Sequence, residues 1–245
     1  MTAHIVLSPY SFVGFEICNC LMEEGMEVTG VDLPVEINPM EKEEKELFLG
    51  RNSNFKVMKH DEIMREWEEN YYVYISDHCE KWLEYLEKIP SRNKTTIVYV
   101  VMNTRFKITI PTLINTTIIL PTVYGPWQPK DTFFYKCLSE ERFPFEQYDL
   151  EDKSDAIYSS DAAAAILEIS RLEHGIYRVQ TDIKDHWRQL LKELGYEVML
   201  DAGKAHFPFF SQNDGEEYRT NTKISPEEGI DMVKRHIRSR EILGY

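Results

Sequence analysis

The stretch VLSPYSFVG, residues 6–14, places two serines and a glycine where a short β-branched run gives way to a helical pattern. A turn at this place can bind a diphosphate at the helix N-terminus, provided that glycines let the backbone approach the charge. Only Gly14 occupies such a position, since Ser8 and Ser11 stand at the earlier ones and Pro9 has no N–H to donate. We predict that the serines cap the following helix, although their hydroxyls could offer hydrogen bonds to an anion. Gly14 is then expected to allow close packing of the helix on the strand.

Asp32 is the second candidate for ligand binding. It ends the next predicted strand, 18 residues after Gly14, where a dinucleotide site places a carboxylate on the ribose hydroxyls. Such a carboxylate would favour NAD over NADP. A structural explanation exists as well, because an aspartate before Leu33 and Pro34 is typical of a turn. The sequence leaves both explanations open.

Charge and composition exclude several classes of partner. The chain has 245 residues, 42% of them hydrophobic, which is enough for a sizeable core. Its 28 basic and 42 acidic residues give a net charge of -14, which disfavours nucleic acid and anionic membranes as partners. No apolar stretch is long enough for a membrane span and the N-terminus lacks a signal-peptide pattern, so we expect a cytoplasmic protein. The four cysteines have neither metal-ligand spacing nor a secreted context, which predicts no metal site and no disulfide.

Strand and helix patterns alternate along the N-terminal part of the chain. The run HIVLS predicts a strand, and the spacing of Val13, Ile17 and Leu21 predicts a helix that ends at Gly25. Such alternation predicts a parallel, doubly wound sheet with helices on both faces. Further strands are predicted at MEVTGVDLP, NFKVMKHD, YYVYISD, TTIVYVVMN and GIYRVQ. Further helices are predicted at Glu62–Glu69, at Glu80–Lys88, in KDTFFYKCLSEERFP, after Ser160 or Asp161, in DHWRQLLKELG and in SPEEGIDMVKRHIRSRE, where Pro226 takes the first helical position.

Several separated segments carry a family resemblance. Residues 5–34 contain the turn and the Asp-ended strand described above, and KHDEI, LPTVYGPWQP, DAIYSSDAAAAILEI, HGIYRV and ISPEEGIDMVKRHI follow in that order. Together they resemble the NAD-dependent epimerases and dehydratases, the extended short-chain dehydrogenase/reductases, whose turn reads Thr-Gly-x-x-Gly-x-x-Gly. Leu120 stands where that family has an arginine, and the resemblance places Asp61 at the position that contacts adenine. It covers almost the whole chain.

The resemblance implies an α/β fold with a Rossmann-like, doubly wound parallel sheet and a small α-rich C-terminal lobe. Residues 1–130 with about 155–180 would form the NAD(P)-binding-type domain, and residues 131–154 with 181–245 the smaller substrate-type lobe. The residues placed at cofactor-contacting positions are Ser8, Ser11, Phe12, Val13, Gly14, Asp32 and Asp61.

The catalytic pattern of that family is missing from this sequence. Family members use a Tyr-x-x-x-Lys pair as general acid and base, with a Ser or Thr on the preceding strand to orient the substrate. None of the 14 tyrosines here has a lysine four residues later. The segment that should carry the pair is shortened, between Asn103 and Thr109, and the hydroxyl position falls on Met102 or Asn103, with Thr104 as the nearest substitute. We therefore assign no catalytic residue.

Loss of the glycines together with the acid/base pair favours a chain that kept the scaffold and gave up the chemistry. The first hypothesis is a catalytically inactive, epimerase/dehydratase-like protein that binds an unidentified protein partner or a nucleotide-type ligand, with weak or no NAD binding. The alternative is an active NAD(P)-dependent sugar-nucleotide epimerase, dehydratase or reductase, in which Tyr124 or Tyr99 replaces the family tyrosine and a lysine such as Lys107 reaches it. Relatives usually dimerise through two helices on one face of the sheet, one of which carries the Tyr and Lys, so we expect a monomer or an altered dimer.

Overall fold

The structure is a computed structural model that describes residues 3–33, 37–59, 71–76, 82, 86, 95–102, 112–139, 154–196 and 215–243. Strands and helices alternate through these residues. In chain order they are β1 (Ala3–Leu7), α1 (Phe12–Glu23), β2 (Val28–Asp32), α2 (Pro39–Leu49), β3 (Phe55–Lys59), β4 (Tyr71–Ser76), β5 (Thr96–Met102), β6 (Thr116–Leu120), β7 (Thr122–Tyr124), α3 (Phe133–Ser139), β8 (Ala156–Tyr158), α4 (Ser159–Ser170), β9 (Ile176–Thr181), α5 (His186–Glu193), β10 (Glu216–Thr220) and α6 (Pro226–Leu243).

Eight of the strands form one sheet in the order β10-β9-β6-β5-β4-β1-β2-β3. Neighbouring strands are parallel in the pairs β1–β2, β2–β3, β1–β4, β4–β5 and β9–β10. Counted from β3, the order reverses at β1, as it does in Rossmann-type sheets. The predicted doubly wound parallel sheet is therefore confirmed. Strands β7 and β8 form a separate parallel pair.

The described residues fall into two compact units. The first unit lies within 1–101, 110–118 and 166–176, and the second lies within 102–109, 119–165 and 177–245. The first contains the β1–α1 turn, and the second contains the aromatic cluster described below.

Helix α1 confirms the predicted apolar stripe in the first unit. Val13, Ile17 and Leu21 are spaced four residues apart and are at most 1% exposed, because this spacing places them on one face of the helix. Gly25 follows the helix with φ +76°, a left-handed conformation that favours glycine and explains the predicted helix end.

The second unit has its own core of aromatic and aliphatic side chains. Tyr124 and Phe133 are fully buried there, with Trp187 and Leu190 from α5 and Ile230 from α6 packed in the same cluster. Helix α6 begins at Pro226, as predicted.

The start of α4 differs from the prediction. The helix begins at Ser159, ahead of the predicted start after Ser160 or Asp161. The Asp161 carboxylate accepts hydrogen bonds from the backbone N–H groups of Lys223 and Ile224, each at 3.2 Å, within the second unit. Asp161 therefore tethers the chain before α6 and lies inside its own helix.

Strand β10 was not predicted from the sequence. Its residues are mostly exposed and three of the five are charged, so it lacks the apolar alternation that marks a strand. Of the helix predicted at Glu80–Lys88, only Trp82 and Leu86 are described, and both are helical and buried. The predicted helix at Glu62–Glu69, Asp61 and the shortened segment between Asn103 and Thr109 lie outside the described residues. In the part of the chain that the structure describes, no helix has the length and apolar content that a membrane crossing requires.

Candidate functional site

The candidate site is the turn that joins β1 to α1 in the first unit. Ser8 begins it in a left-handed conformation, with φ +59°. The Ser8 N–H donates to Val31 O at 2.9 Å, and the Ser11 N–H donates to Ser8 O at 3.0 Å. This left-handed conformation costs a residue with a Cβ about 1–2 kcal/mol, and the two hydrogen bonds hold Ser8 in it.

Ser11 caps α1, as predicted. Its Oγ accepts a hydrogen bond from the Gly14 N–H at 3.2 Å, which satisfies one of the first amides of the helix. The same Oγ lies 3.3 Å from Ser76 Oγ at the end of β4, and this hydrogen bond is buried. The Ser11 hydroxyl is thus engaged within the protein on both sides.

Gly14 is required by the turn itself. A Cβ at this position would lie 2.4 Å from the Ser8 carbonyl oxygen and 2.6 Å from Ser11 Oγ, which is closer than real Cβ atoms come. We predicted that the glycine would allow close approach of the helix to the strand. The observed close contacts are with Ser8 and Ser11 of the turn that follows the strand. Gly14 does lie at a close approach, but its partner is the turn and not the strand itself.

Pro9 closes the turn against the neighbouring strand. A Cβ on Gly30 of β2 would lie 2.8 Å from Pro9 Cγ and 2.9 Å from Phe55 Cζ. Gly30 was not singled out from the sequence, although a glycine inside a strand run is a known sign of close approach. The proline ring therefore occupies space beside the turn.

The Ser8 hydroxyl is the unsatisfied polar group of the site. Ser8 is 2% exposed, and its Oγ has no hydrogen-bond partner among the residues that the structure describes. The prediction that Ser8 also caps the helix is therefore wrong, because Ser11 is the capping residue. A buried hydroxyl without a partner lowers stability by about 1–3 kcal/mol. This Oγ can accept or donate one hydrogen bond to a ligand or a water molecule.

Asp32 ends β2, as predicted, and its carboxylate is paired. Oδ2 lies 2.6 Å from Lys42 Nζ on α2, and both side chains are about one-third exposed. The Lys42 ammonium also lies 5.5 Å from the centroid of the Tyr10 ring. A ribose hydroxyl at Asp32 would share the carboxylate with Lys42.

Lys45 is a residue that the sequence did not reveal. All six residues of 41–46 are charged, a pattern typical of a solvated helix face or loop, yet Lys45 is 1% exposed. Its Nζ donates to the Tyr10 carbonyl oxygen and to Glu41 Oε1, each at 2.8 Å. Lys45 on α2 therefore stabilises the turn at Tyr10. This contact joins residues far apart in the chain, so no local sequence pattern predicts it.

Phe12 and Val13, the other two candidate residues, are the first residues of α1 and their side chains are buried. The amides at the start of a helix have no partner inside it, so only their backbone is suited to an anion. The turn therefore brings together Ser8, Ser11, Phe12, Val13 and Gly14, with Asp32 at the end of the adjacent strand.

The two tyrosines considered as catalytic substitutes are both in protein cores. Tyr124 is fully buried in the second unit, its Oη is 3.2 Å from His186 Nε2, and burial raises its pKa well above the ordinary value. Tyr99 is 2% exposed in the first unit, and its ring centroid lies 5.1 Å from that of Trp82. Lys107 lies outside the described residues.

No family model matches this chain, and no curated protein matches its sequence. Solved structures do match along nearly its whole length. One is UDP-glucuronic acid 4-epimerase from Bacillus cereus, solved with NAD, at 15% identity over 97% of this chain and 99% of that one, with a TM-score of 0.64. Another is UDP-glucose 4-epimerase from Thermotoga maritima, at 18% identity over 98% and 99%, with a TM-score of 0.60.

A third match is dTDP-glucose 4,6-dehydratase from Bacillus anthracis, also solved with NAD. It is 11% identical over 99% of this chain and 98% of that one, with a TM-score of 0.62. Identities this low show the fold alone. The chain therefore has the Rossmann-like fold of the NAD-dependent epimerases and dehydratases, the extended short-chain dehydrogenase/reductases.

Proposed function

We propose that this chain is a non-catalytic, epimerase/dehydratase-like protein. It acts by binding a nucleotide-type ligand at the β1–α1 turn or by binding a protein partner, and it holds NAD weakly or not at all. In this proposal it is a cytoplasmic monomer or a dimer with an altered interface, in the role of a sensor or scaffold.

The observation that carries the proposal is the crowding of the turn. A glycine-rich turn holds a diphosphate because bare backbone N–H groups can approach the phosphate oxygens. Here Ser8 and Ser11 add side chains at two such positions, and Pro9 supplies no N–H and packs against Gly30. The amides of Phe12 and Val13 remain as the backbone donors of the helix N-terminus. This geometry supports a weakened diphosphate site that retains part of the original donor set.

The environment of the candidate acids supports the absence of family chemistry. A general acid must reach the reacting atom and have a pKa near the working pH. Burial moves the pKa of Tyr124 in the opposite direction, and its hydroxyl is hydrogen-bonded to His186. Tyr99 is equally enclosed. Within the described residues, neither tyrosine is suited to protonate a bound sugar.

Calorimetric titration with NAD, NADP and UDP-glucose tests the proposal on the full chain. We expect little or no heat from the wild type, and tighter NAD binding by the double variant Ser8→Gly with Ser11→Gly. Ser225→Gly is the matched control, because Ser225 Oγ caps α6 by accepting from the Glu228 N–H at 3.3 Å, far along the chain from the turn. Tight NAD binding by the wild type, unchanged in the double variant, would contradict the crowding argument.

The competing proposal is an active NAD(P)-dependent sugar-nucleotide enzyme with an altered site. It is tested by following NADH absorbance and product formation with UDP-glucose, UDP-glucuronate and dTDP-glucose as substrates. Turnover by the wild type that disappears in Tyr124→Phe would establish this alternative. We expect no turnover by either protein.

A further inference from the structure

A cavity of about 630 Å³ lies in the second unit, remote in sequence from the β1–α1 turn. It is lined by the end of β6 at Leu120, by β9 from Arg178 to Thr181, by the connection to α5, and by Glu217 and Arg219 of β10. Its size is in the range of pockets that hold small metabolites. The cavity extends along the parallel strands β9 and β10 and past the carboxyl ends of β6 and β9.

Among the described residues, Arg178 lines the cavity and has a hydrogen-bond donor without an acceptor. Its Nε is buried and has no hydrogen-bond partner within the described ranges, and no ion pair to the guanidinium is found there. The side chain lines the cavity, together with Gln180 two residues later on the same face of β9. Arg178 as a whole is partly exposed, and it is the buried Nε–H that lacks an acceptor among the described residues, at a cost of about 1–3 kcal/mol.

The opposing strand does not neutralise Arg178. Glu217 is directly across from Arg178 in the parallel register of β9 and β10. Its carboxylate lies 3.5 Å from Arg219 Nη2 on its own strand, and both of these side chains are about half exposed or more. Among the described residues, the Glu217 carboxylate thus forms its ion pair with Arg219 and not with Arg178.

Three other acidic residues line the cavity: Asp185 is exposed, and the carboxylates of Asp155 and Asp182 accept hydrogen bonds from the protein. Asp155 accepts hydrogen bonds from the Thr181 N–H at 2.7 Å, from Thr181 Oγ1 at 2.8 Å and from the Ala156 N–H at 2.8 Å. Asp182 Oδ1 accepts from the Thr222 N–H at 2.9 Å. These carboxylates hold the cavity wall in place.

We propose that this cavity binds a small anionic metabolite, whose carboxylate or phosphate group is held by Arg178. The planar guanidinium can donate two parallel hydrogen bonds to either group. The exposed Lys184 adds a positive charge at the rim, and Gln180 offers an amide to hydroxyl groups of the ligand. All residues that line the cavity are in the second unit, and none of them belongs to the β1–α1 turn.

The test is calorimetric titration of the full chain at constant ionic strength with three anionic probes and one neutral probe. Inorganic phosphate and glucose 1-phosphate test phosphate recognition, glucuronate tests carboxylate recognition, and glucose is the uncharged control. We expect at least one anionic probe to bind and Arg178→Met to weaken it about 10- to 100-fold, as expected for loss of a charged hydrogen-bonding partner. The matched control is Arg188→Met on the exposed face of α5, outside the cavity, which should leave the affinity unchanged.

Lys184→Met gives a second measurement, because Lys184 is exposed and its removal should not disturb folding. We expect about a two- to fivefold loss of affinity, as for a solvent-exposed charge. The proposal is overturned if none of the anionic probes binds the wild type, or if Arg178→Met binds as tightly as Arg188→Met. If Arg178→Met does not fold, an unchanged affinity in Lys184→Met overturns it.

Discussion

Tyr124 and His186 form a buried hydrogen-bonded pair in the second unit, with Tyr124 Oη 3.2 Å from His186 Nε2 and the two rings nearly perpendicular. Helix α6 approaches this pair closely, since a Cβ on Gly229 would lie 2.8 Å from Tyr124 Oη. Burial lowers the pKa of His186 to about 4. The imidazole of the pair is therefore neutral in the folded protein, so the free energy of unfolding depends on pH.

The first prediction concerns stability in acid. Between pH 6.5 and 4 the unfolded chain binds a proton at this histidine and the folded chain does not, so falling pH favours unfolding. The loss of unfolding free energy should reach up to about 3 kcal/mol near pH 4. Urea unfolding of wild type and His186→Gln at pH 7, 5.5 and 4.5 measures it, because glutamine does not titrate. His186→Gln should lose less stability on acidification than the wild type.

The control for this prediction is His174→Gln. His174 is exposed and lies outside the second unit, so this variant removes one histidine without altering the Tyr124–His186 pair. Burial also lowers the pKa of His4, which hydrogen-bonds to Tyr74 Oη at 3.4 Å, so both proteins share that second contribution. Equal acid sensitivity in His186→Gln and wild type would show that His186 is accessible to protons in the folded state.

The second prediction is that Ser8→Gly stabilises the protein by about 1 kcal/mol. The substitution relieves the left-handed strain at φ +59° and removes a buried hydroxyl that has no partner among the described residues. Thermal or denaturant unfolding measures the change. Ser239→Gly, at an exposed position inside α6, should have the opposite sign and cost about 0.5–1 kcal/mol. A loss of stability in Ser8→Gly would mean that the hydroxyl is satisfied in solution.

The third prediction is that Gly14→Ala lowers the free energy of unfolding by about 2–3 kcal/mol. Its methyl group would meet the Ser8 carbonyl at 2.4 Å, and a backbone atom cannot move aside as a flexible side chain can. Gly25→Ala is the comparison, because it has the strain of φ +76° and open space around it. It should cost only about 1 kcal/mol. Similar costs for both variants would show that the turn can relax.

Features that depend on local contacts could be predicted, because such contacts produce a regular spacing of residue types along the chain. Val13, Ile17 and Leu21 are one turn apart and face the core, so the helix and its buried face could be predicted from spacing. The capping role of Ser11 was accessible for the same reason, since its partner Gly14 is three residues away. Both contacts join residues that are close together in the chain, so a short stretch of sequence is enough to predict them.

The features that escaped prediction depend on partners far along the chain. Strand β10 is stabilised by pairing with β9, while its own residues Glu216, Glu217 and Arg219 have the composition of a loop. Gly30 is set by Pro9 and Phe55, which approach it from two sides. A glycine inside a strand indicates that something approaches closely, but the sequence does not say which distant residues do so.

The fourth prediction follows from Lys45, whose burial contradicted the pattern of its segment. Its Nζ neutralises Glu41 and donates to the Tyr10 carbonyl, so Lys45→Met leaves two acceptors in α2 and the turn without their donor. We expect a loss of about 2 kcal/mol in unfolding free energy, measured by urea titration at pH 7. Lys42→Met is the matched control, because it removes the same charge from a partly exposed pair with Asp32 and should cost less than about 1 kcal/mol. If the two variants lost equal stability, Lys45 would be as solvated as Lys42, and the turn would lack this support from α2.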